Sequence, residues 1–247
     1  MTSTFTDAPH AVSRFAFVVP AHDEAATIAR VVRDLVAAGD ATGRPFEVIV
    51  VDDASSDGTG DLARAAGARV LRVEHRQIAA TRNSGARAVA DDCDAIVFVD
   101  ADTFVDADAV RGALAALEGG AVAGGAHMRF DDAPWYGRAL IWAVCCGLAL
   151  WKKCGGAFFF VRRADFDAVG GFDERLFVSE EIDLAAKLRT RGPFVVLRGV
   201  RVVTSGRKMR DFTLGELAGQ TWRLVRGGKR GLERRDGLDV WYRRRAS

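Results

Sequence analysis

The chain has 247 residues, 49% of them hydrophobic, which is enough to bury a substantial core within one domain. Its 35 Lys and Arg residues against 33 Asp and Glu residues leave a formal net charge of +2, so the cation excess that neutralises nucleic acid phosphates is missing and no nucleic acid partner is expected. Its four cysteines form neither a CxxC pair nor a cluster with histidine, which argues against a zinc site or a disulfide framework and favours reduced thiols in the cytoplasm.

The first half of the chain alternates strand and helix patterns. The apolar run RFAFVVP ends at Pro20, and TIARVVRDLVAAG then repeats apolar residues at helical spacing. Further along, a strand is predicted at 47–51, followed by a helix in GDLARAAG, a strand in ARVLRVE, a helix in AATRNSGARAVA and a strand in DAIVFVDAD. This order predicts a single α/β domain with a mostly parallel central sheet, whose strands end at one edge, where ligands bind in open α/β folds.

The second half is less regular. It shows a helix pattern in DADAVRGALAAL, strand patterns in AVAGGAHMRF and GGAFFFVRR, a helix in SEEIDLAAKLRTRG that ends at Gly192 and Pro193, and one or two strands in FVVLRGVRVVTSGR. We expect residues 1–13 to be a disordered lead-in, 14–210 to form the domain, and 211–247 to form a basic helical tail.

Two segments bear on contact with a membrane. The apolar run at 139–151, ALIWAVCCGLALW, is shorter than the ~20 residues that span a bilayer, so it is either a buried helix or one lying at a membrane interface. The cationic stretch at 223–245, with its Trp and Tyr, is either a solvated face or a contact for anionic lipid. No secretory signal is recognised, and we expect a cytoplasmic protein with the option of peripheral contact at the inner face of the membrane.

Three acidic clusters follow or lie near predicted strand ends. A parallel sheet brings such ends to a common crevice, where the clusters would meet one ligand. The third cluster is a DxD element, which offers hard oxygen ligands to Mg²⁺ or Mn²⁺ beside a diphosphate. The alternatives are a turn and helix cap for the second cluster and helix capping, better suited to Asp106, for the third. The clusters are Asp23 and Glu24, Asp52 and Asp53, and Asp100 and Asp102.

Six short motifs carry a resemblance to a known family. In order, they are VVPAHDEAATI, EVIVVDDASSDGT, AATRNSGARAV, VDAD, GGFDE and SEEIDLAAKLRTRG. Each is weak alone, but over roughly residues 15–205 their order and spacing resemble family 2 glycosyltransferases. The resemblance implies a GT-A fold, similar to other nucleotide-diphospho-sugar transferases, and a hexosyltransferase that inverts the anomeric carbon of a UDP- or GDP-sugar.

The resemblance also implies roles for individual residues. Arg82 would reach the nucleotide, with a surface-exposed helix arginine as the alternative. Asp102 would face the metal, with Asp100 near the ribose or the water shell of the metal. The base and ribose pocket would be lined by Pro20, Ala21, Glu24, Asp52 and Asp53.

The helix SEEIDL would supply a general base, because inversion in one displacement needs a group that accepts the proton of the acceptor hydroxyl. Glu181 aligns with the catalytic Asp of the family, and Glu180 is the reserve candidate. The longer Glu side chain shifts where the acceptor oxygen must sit and keeps the base chemistry. The alternative is that both are helix N-terminal charges favoured by the dipole.

The chain departs from the family pattern after the base. Many members have a histidine there, whereas here no histidine follows His127. We expect Arg207, Lys208 or Arg210 to contact the diphosphate in its place, and Gly156 to let backbone approach the acceptor side. The acceptor is open, either a soluble molecule or a lipid-linked one.

Three other functions are alternatives to glycosyl transfer. An oxidoreductase would need a GxGxxG after the first strand, and a nucleotidyltransferase would need a Gly-rich basic loop there; VVPAHDEAA is neither. The remaining alternative is a sugar-nucleotide-binding or membrane-associated module that has lost turnover, for which the Glu-Glu pair is the main support.

Overall fold

The protein is described by a computed structural model that covers residues 11–131, 157–177 and 179–205. Several predictions lie outside these residues: those for Gly156, Arg207, Lys208, Arg210, the apolar segment 139–151 and the basic tail 211–247. In the part of the chain that is described, no helix is long and apolar enough to cross a membrane.

The described residues form eight strands and six helices. The strands are β1 (Phe15–Ala21), β2 (Phe46–Asp53), β3 (Arg69–Val73), β4 (Ala95–Val99), β5 (Thr103–Val105), β6 (Ala123–Asp131), β7 (Phe158–Arg162) and β8 (Phe194–Ser205). The helices are α1 (Ile28–Asp40), α2 (Thr59–Ala65), α3 (Ile78–Ala88), α4 (Ala107–Glu118), α5 (Arg163–Ala168) and α6 (Glu180–Arg189).

One sheet contains all eight of these strands, in the order β3-β2-β1-β4-β7-β6-β8-β5. Strands β1 to β4 run parallel to one another, and β6 runs parallel to β8. Strand β7 is antiparallel to both β4 and β6, and β5 is antiparallel to β8. The prediction of a single α/β domain with a mostly parallel sheet is confirmed.

Apolar side chains cover both faces of this sheet. In β1, Phe15, Phe17 and Val19 join a core cluster with residues of α1 and α4, whereas Ala16 and Val18 join a second cluster with residues of α3, α5 and α6. A strand buried on both faces needs a continuous apolar sequence, which RFAFVVP supplies. With both faces covered by helices, the carboxyl edge of β1, β2 and β4 is left for a ligand.

Some element boundaries differ from the sequence prediction. Strand β2 continues to Asp53, so its two aspartates belong to the strand itself. Strand β1 includes Pro20, which is tolerated because the pairing with β4 ends at Val18. The expected disorder to residue 13 is wrong for its last part, because Val12 is buried and its amide donates to Glu118 at 3.2 Å.

Candidate active site

Hydrogen bonds tie the loop after β1 to the loop after β2. Three backbone amides of the first loop donate to side chains of the second loop or of the first residue of α2, and the amide and hydroxyl of Ser56 donate in the reverse direction to Asp23. In the first loop, Asp23 adopts a positive φ of 52°, which this network holds in place. The bonds join Asp23 N to Ser55 Oγ (2.9 Å), Glu24 N to Thr59 Oγ1 (2.8 Å), Ala25 N to Asp57 Oδ2 (3.1 Å) and Ser56 N to Asp23 Oδ1 (2.8 Å).

The predicted nucleotide residues of β1 and β2 lie together beside these loops. Pro20, Ala21 and Glu24 are buried, and Ala21 pairs with Asp52 across the two parallel strands. The carboxylate of Asp52 accepts a bond from the Ser55 amide at 3.1 Å. The side chain of Glu24 accepts one from the hydroxyl of Thr27 at 3.2 Å.

Asp53 fixes the start of α3. Its Oδ1 accepts a bond from the amide of Arg76 at 2.8 Å, and its Oδ2 accepts bonds from the amide of Gln77 at 3.2 Å and the hydroxyl of Thr81 at 2.7 Å. Carboxylate oxygens that accept backbone N–H bonds at a helix start are stabilised by the partial positive charge there. The negative charge of Asp53 is therefore stabilised by hydrogen-bond donors of the protein itself. A nucleotide role for Asp53 stays a prediction.

Asp100 and Asp102 follow β4, as the sequence predicts. Asp100 is 30% exposed at its side chain, and its Oδ1 accepts a bond from Nη2 of Arg82 at 2.8 Å. Asp102 is buried, and its backbone carbonyl accepts a bond from the amide of Ser205 at 2.9 Å. The capping role expected of Asp106 is confirmed, because its side chain accepts a bond from the amide of Ala109 at the start of α4.

Arg82 is the centre of the site. It is 1% exposed, so the alternative of a surface-exposed arginine is wrong. Its Nη1 donates to Oε1 of Glu180 at 2.8 Å and to Oε1 of Glu181 at 2.9 Å, while its Nη2 binds Asp100. One guanidinium thus joins the end of β4 to the first turn of α6, over a sequence separation of 98 and 99 residues for the two glutamates.

Arg82, Glu180 and Glu181 shift one another's pKa values. Burial alone would lower the pKa of Arg82, but the charges of Glu181, Asp100 and Glu180 outweigh it and raise the pKa. For Glu180, which is 3% exposed, burial and the charge of Glu181 raise the pKa to about 8, against the opposing charge of Arg82. For Glu181, burial is outweighed by the charge and hydrogen bond of Arg82, and its pKa is lowered.

Helix α3 also supports the loop that contains the GGFDE motif. Asn83 accepts a bond from the amide of Phe172 at 3.0 Å and donates to the carbonyl of Phe172 and to Oε1 of Glu174, both at 2.9 Å. Gln77 caps the helix through the amide of Ala80 and donates to the carbonyl of Glu174 at 3.1 Å. Sequence reasoning did not single out Gln77 or Asn83. The signal for Asn83 was its place in TRNSG, a polar run inside an otherwise small and apolar helix.

Asp100 and Asp102 are the residues that would hold a divalent cation. Both supply hard oxygen donors, the kind that Mg²⁺ and Mn²⁺ prefer. Among the described residues, no group of three or more His, Cys, Asp or Glu side chains is placed to hold a metal ion. A cation at these two carboxylates would complete its shell with substrate phosphate or water, which is how Mg²⁺ commonly binds.

Comparison with known proteins identifies the family. The family model of glycosyl transferase family 2 matches residues 16–169, more than half of the chain. The protein belongs to this family. A search of curated protein sequences finds no significant match.

Solved structures of low sequence identity share the GT-A fold. S. aureus TarS in complex with UDP superposes with a TM-score of 0.61 at 18% identity, over 78% of this chain and 60% of that one. Glucosyl-3-phosphoglycerate synthase from Mycobacterium tuberculosis, with Mg²⁺ and UDP, gives 0.62 at 20% identity over 86% and 77%. Mannosyltransferase PcManGT from Pyrobaculum calidifontis, with GDP-Man and Mn²⁺, gives 0.61 at 17% identity over 95% and 70%.

Proposed function

We propose that this glycosyltransferase moves a hexose from a UDP- or GDP-sugar to a hydroxyl acceptor with inversion at the anomeric carbon, and that Glu181 is its general base. The observation that carries the proposal is the buried Arg82, which binds a carboxylate of the DxD element and both glutamates of α6. In one direct displacement, the leaving phosphate lies on one side of the anomeric carbon, and the acceptor hydroxyl with the base that takes its proton lies on the other. Arg82 joins one group from each side.

The donor would bind at the carboxyl ends of β1, β2 and β4. Pro20, Ala21, Glu24 and the aspartates of β2 form one wall there, around buried oxygen acceptors that suit the N–H groups of a base and the hydroxyls of a ribose. The solved structures with this fold hold UDP or GDP-Man. We therefore expect the carboxyl edge of this sheet to bind the same type of ligand.

Asp100 and Asp102 would hold Mg²⁺ or Mn²⁺ together with the donor diphosphate. When bound, such a cation stabilises negative charge on the departing nucleoside diphosphate. Oδ1 of Asp100 accepts a bond from Arg82, which fixes the direction of this carboxylate. Two of the solved structures with this fold contain Mn²⁺ or Mg²⁺.

Glu181 suits the base better than Glu180. A general base has to be ionised before it accepts a proton, and it has to reach the substrate. The pKa of Glu181 is lowered and its side chain is 18% exposed, whereas the pKa of Glu180 is raised to about 8 and its side chain is 3% exposed. At neutral pH, Glu180 is therefore the protonated, enclosed member of the pair and Glu181 the ionised, accessible one.

Glu181→Gln tests this assignment. It keeps the size of the side chain and removes the ionisable group, so turnover should fall by about 10² to 10⁴. Since the acceptor is unidentified, we would measure nucleoside diphosphate release with water as acceptor, from UDP-glucose, UDP-N-acetylglucosamine and GDP-mannose with Mn²⁺. The matched control is Asp183→Asn, in the same helical turn, where the carboxylate pairs with Lys187 at 2.8 Å.

The outcomes separate the proposal from its rivals. Loss of turnover in Glu181→Gln, with Asp183→Asn near the wild-type rate, supports Glu181 as the base. A greater loss in Glu180→Gln than in Glu181→Gln would assign the base to the reserve candidate. Binding of a nucleoside diphosphate without any donor cleavage by the wild-type protein would favour the module without turnover.

A further inference from the structure

Both terminal nitrogens of Arg82 donate to protein carboxylates. Nη1 and Nη2 are occupied by Glu180, Glu181 and Asp100 at 2.8 to 2.9 Å. Its third donor nitrogen, Nε, is buried as well and has no hydrogen-bond partner among the described residues. The ring of Phe172 lies 5.3 Å from the guanidinium carbon. A side chain that is 1% exposed and enclosed in this way presents little surface to a nucleotide.

The partners of Arg82 come from separate pieces of the chain. Asp100 follows β4, and the two glutamates open α6, so neither piece fixes the position of the other through its own backbone. Arg82 is itself held by α3, whose start is bound to Asp53 and whose next residue, Asn83, binds the loop at Phe172. A guanidinium is a planar fork, so the carboxylates it binds are fixed in direction as well as in distance.

We propose that Arg82 is a positioning residue, which sets the placement of the base Glu181 relative to the donor-side carboxylate Asp100. This inference rests on the proposed function, because it needs Glu181 to act on the acceptor and Asp100 to lie on the donor side. It gives Arg82 a different task from the nucleotide contact that the family resemblance implies. Arg82 acts through the other two groups and touches neither sugar nor nucleotide.

Arg82→Lys distinguishes the two tasks. Lysine keeps one positive charge among the carboxylates but is a point charge without the planar fork, so it cannot hold both directions. A positioning role predicts that kcat for donor hydrolysis falls by about 100-fold, the size of effect that a misplacement of about 1 Å produces. The dissociation constants of UDP and GDP, measured calorimetrically with Mn²⁺, should change by less than about threefold, because ground-state binding is left intact.

The matched control is Arg87→Lys. Arg87 lies on the same helix, is 65% exposed at its side chain, and donates to the hydroxyl of Ser84. We expect wild-type kcat and nucleotide affinity for this variant. Should Arg82→Lys fail to fold, the double variant Arg82→Lys with Glu180→Gln is used, in which an amide replaces one of the buried carboxyls. Its reference is Glu180→Gln alone. Relative to that reference, we again expect a lower kcat with nearly unchanged nucleotide affinity.

Two results would overturn the inference. A folded Arg82→Lys enzyme with wild-type kcat shows that the fork is not needed to place the base. A loss confined to UDP or GDP affinity, with kcat retained, shows that Arg82 is a nucleotide ligand. Failure of the proposed function is recognised separately: wild-type turnover in Glu181→Gln removes the base assignment, and it does so whatever Arg82→Lys shows.

Discussion

Among the side chains of the site, Glu180 is the carboxyl whose proton affinity is raised most clearly. Burial and the neighbouring charge of Glu181 raise its pKa to about 8, although Arg82 opposes the shift. In an unfolded chain the pKa of a glutamate is about 4.3. Between these two values, the folded protein holds a proton on Glu180 that the unfolded chain has already released. Folding is therefore linked to the uptake of one proton.

This linkage predicts a specific effect of Glu180→Gln on stability. In the window from about pH 5 to about pH 8, the free energy of unfolding of the wild type loses up to about 1.4 kcal/mol per pH unit through this group, because the folded state binds the extra proton. Glutamine mimics the protonated side chain and has no proton to lose. Urea unfolding of both proteins across the window should show the variant gaining stability relative to the wild type as pH rises.

Glu181 does not obscure that comparison. Its folded pKa is lowered, so its contribution is present above its unfolded pKa and is lost only as the pH falls below it, outside the window. It is also present in both proteins. Stability curves for wild type and Glu180→Gln that stay parallel over the whole window would contradict a raised pKa at Glu180.

At the scale of single residues, the sequence predicted which residues belong to the site but not which of them contact one another. Glu180, Glu181 and Asp100 were all singled out: Glu181 by alignment with the base of the family, Glu180 as the residue that precedes it, and Asp100 by its place after a strand. Their common contact with Arg82 was not predicted, because those pairs are 98, 99 and 18 residues apart in sequence and short motifs carry no distance between elements. Only the packing of α3 against the sheet brings them together.

Helix α3 is the element on which the site depends. Consecutive residues point to different partners: Thr81 to Asp53, Arg82 to the carboxylates and Asn83 to the loop at Phe172. This arrangement requires the helix to lie close to the sheet. Gly85 permits that approach, because a Cβ built there would lie 2.3 Å from Cγ1 of Val18 and 2.8 Å from Cγ2 of Val51.

Gly85→Ala is therefore expected to destabilise the protein. Alanine gains about 1 kcal/mol of helix propensity over glycine, but the overlap with two buried valines of β1 and β2 forces the helix away from the sheet. Overpacking of this kind costs about 1 to 3 kcal/mol, and we expect a net loss of stability together with reduced turnover. Urea unfolding and donor hydrolysis measure the two effects.

The matched control is a glycine in a different helix. Gly112 lies in α4, and a Cβ there would first meet Cδ1 of Leu197 at 3.3 Å, the end of a side chain that can adjust. Gly112→Ala should be neutral or mildly stabilising. Equal stability changes in the two variants would show that close packing at Gly85 is not what holds α3 in place.

The sequence correctly predicted the elements that are long and periodic, such as α1 and α4. The elements that escaped prediction are short: β5 has three residues and α5 has six, too few to show a period. The antiparallel direction of β7 was also not specified, because an apolar run such as AFFFV has the same pattern in either direction. Strands β5 and β7 both lie in the half of the sheet that follows β4 in the strand order.

At the scale of the whole molecule, the carboxyl edge of the sheet combines two acidic groups that α3 links. One lies at the ends of β1 and β2, and the other consists of Asp100, Asp102 and the glutamates of α6. Among these side chains alone, the formal negative charges of Asp100, Asp102 and Glu181 exceed the single positive charge of Arg82, even with Glu180 protonated. A divalent cation bound with the donor diphosphate would balance that excess.

A test of donor and metal binding follows from this balance. A ligand that binds only the folded state raises the melting temperature, and at a concentration of about 100 times its dissociation constant it adds about 2.7 kcal/mol. For a protein of this size that corresponds to about 5 to 10 °C. We expect UDP or GDP with Mn²⁺ to give such a shift, and excess EDTA to reduce it to the smaller effect of the nucleotide alone.

Asp102→Asn should abolish the part of the shift that depends on Mn²⁺, because an amide is a weaker ligand for a hard cation than a carboxylate. Asp106→Asn is the control, since asparagine caps a helix as well as aspartate does and α4 would keep its start. A full Mn²⁺-dependent shift in Asp102→Asn would show that Asp102 is not a ligand of the cation. Fixed cations, which the sequence predicts at Arg207, Lys208 or Arg210, would then have to supply the charge that stabilises the departing diphosphate.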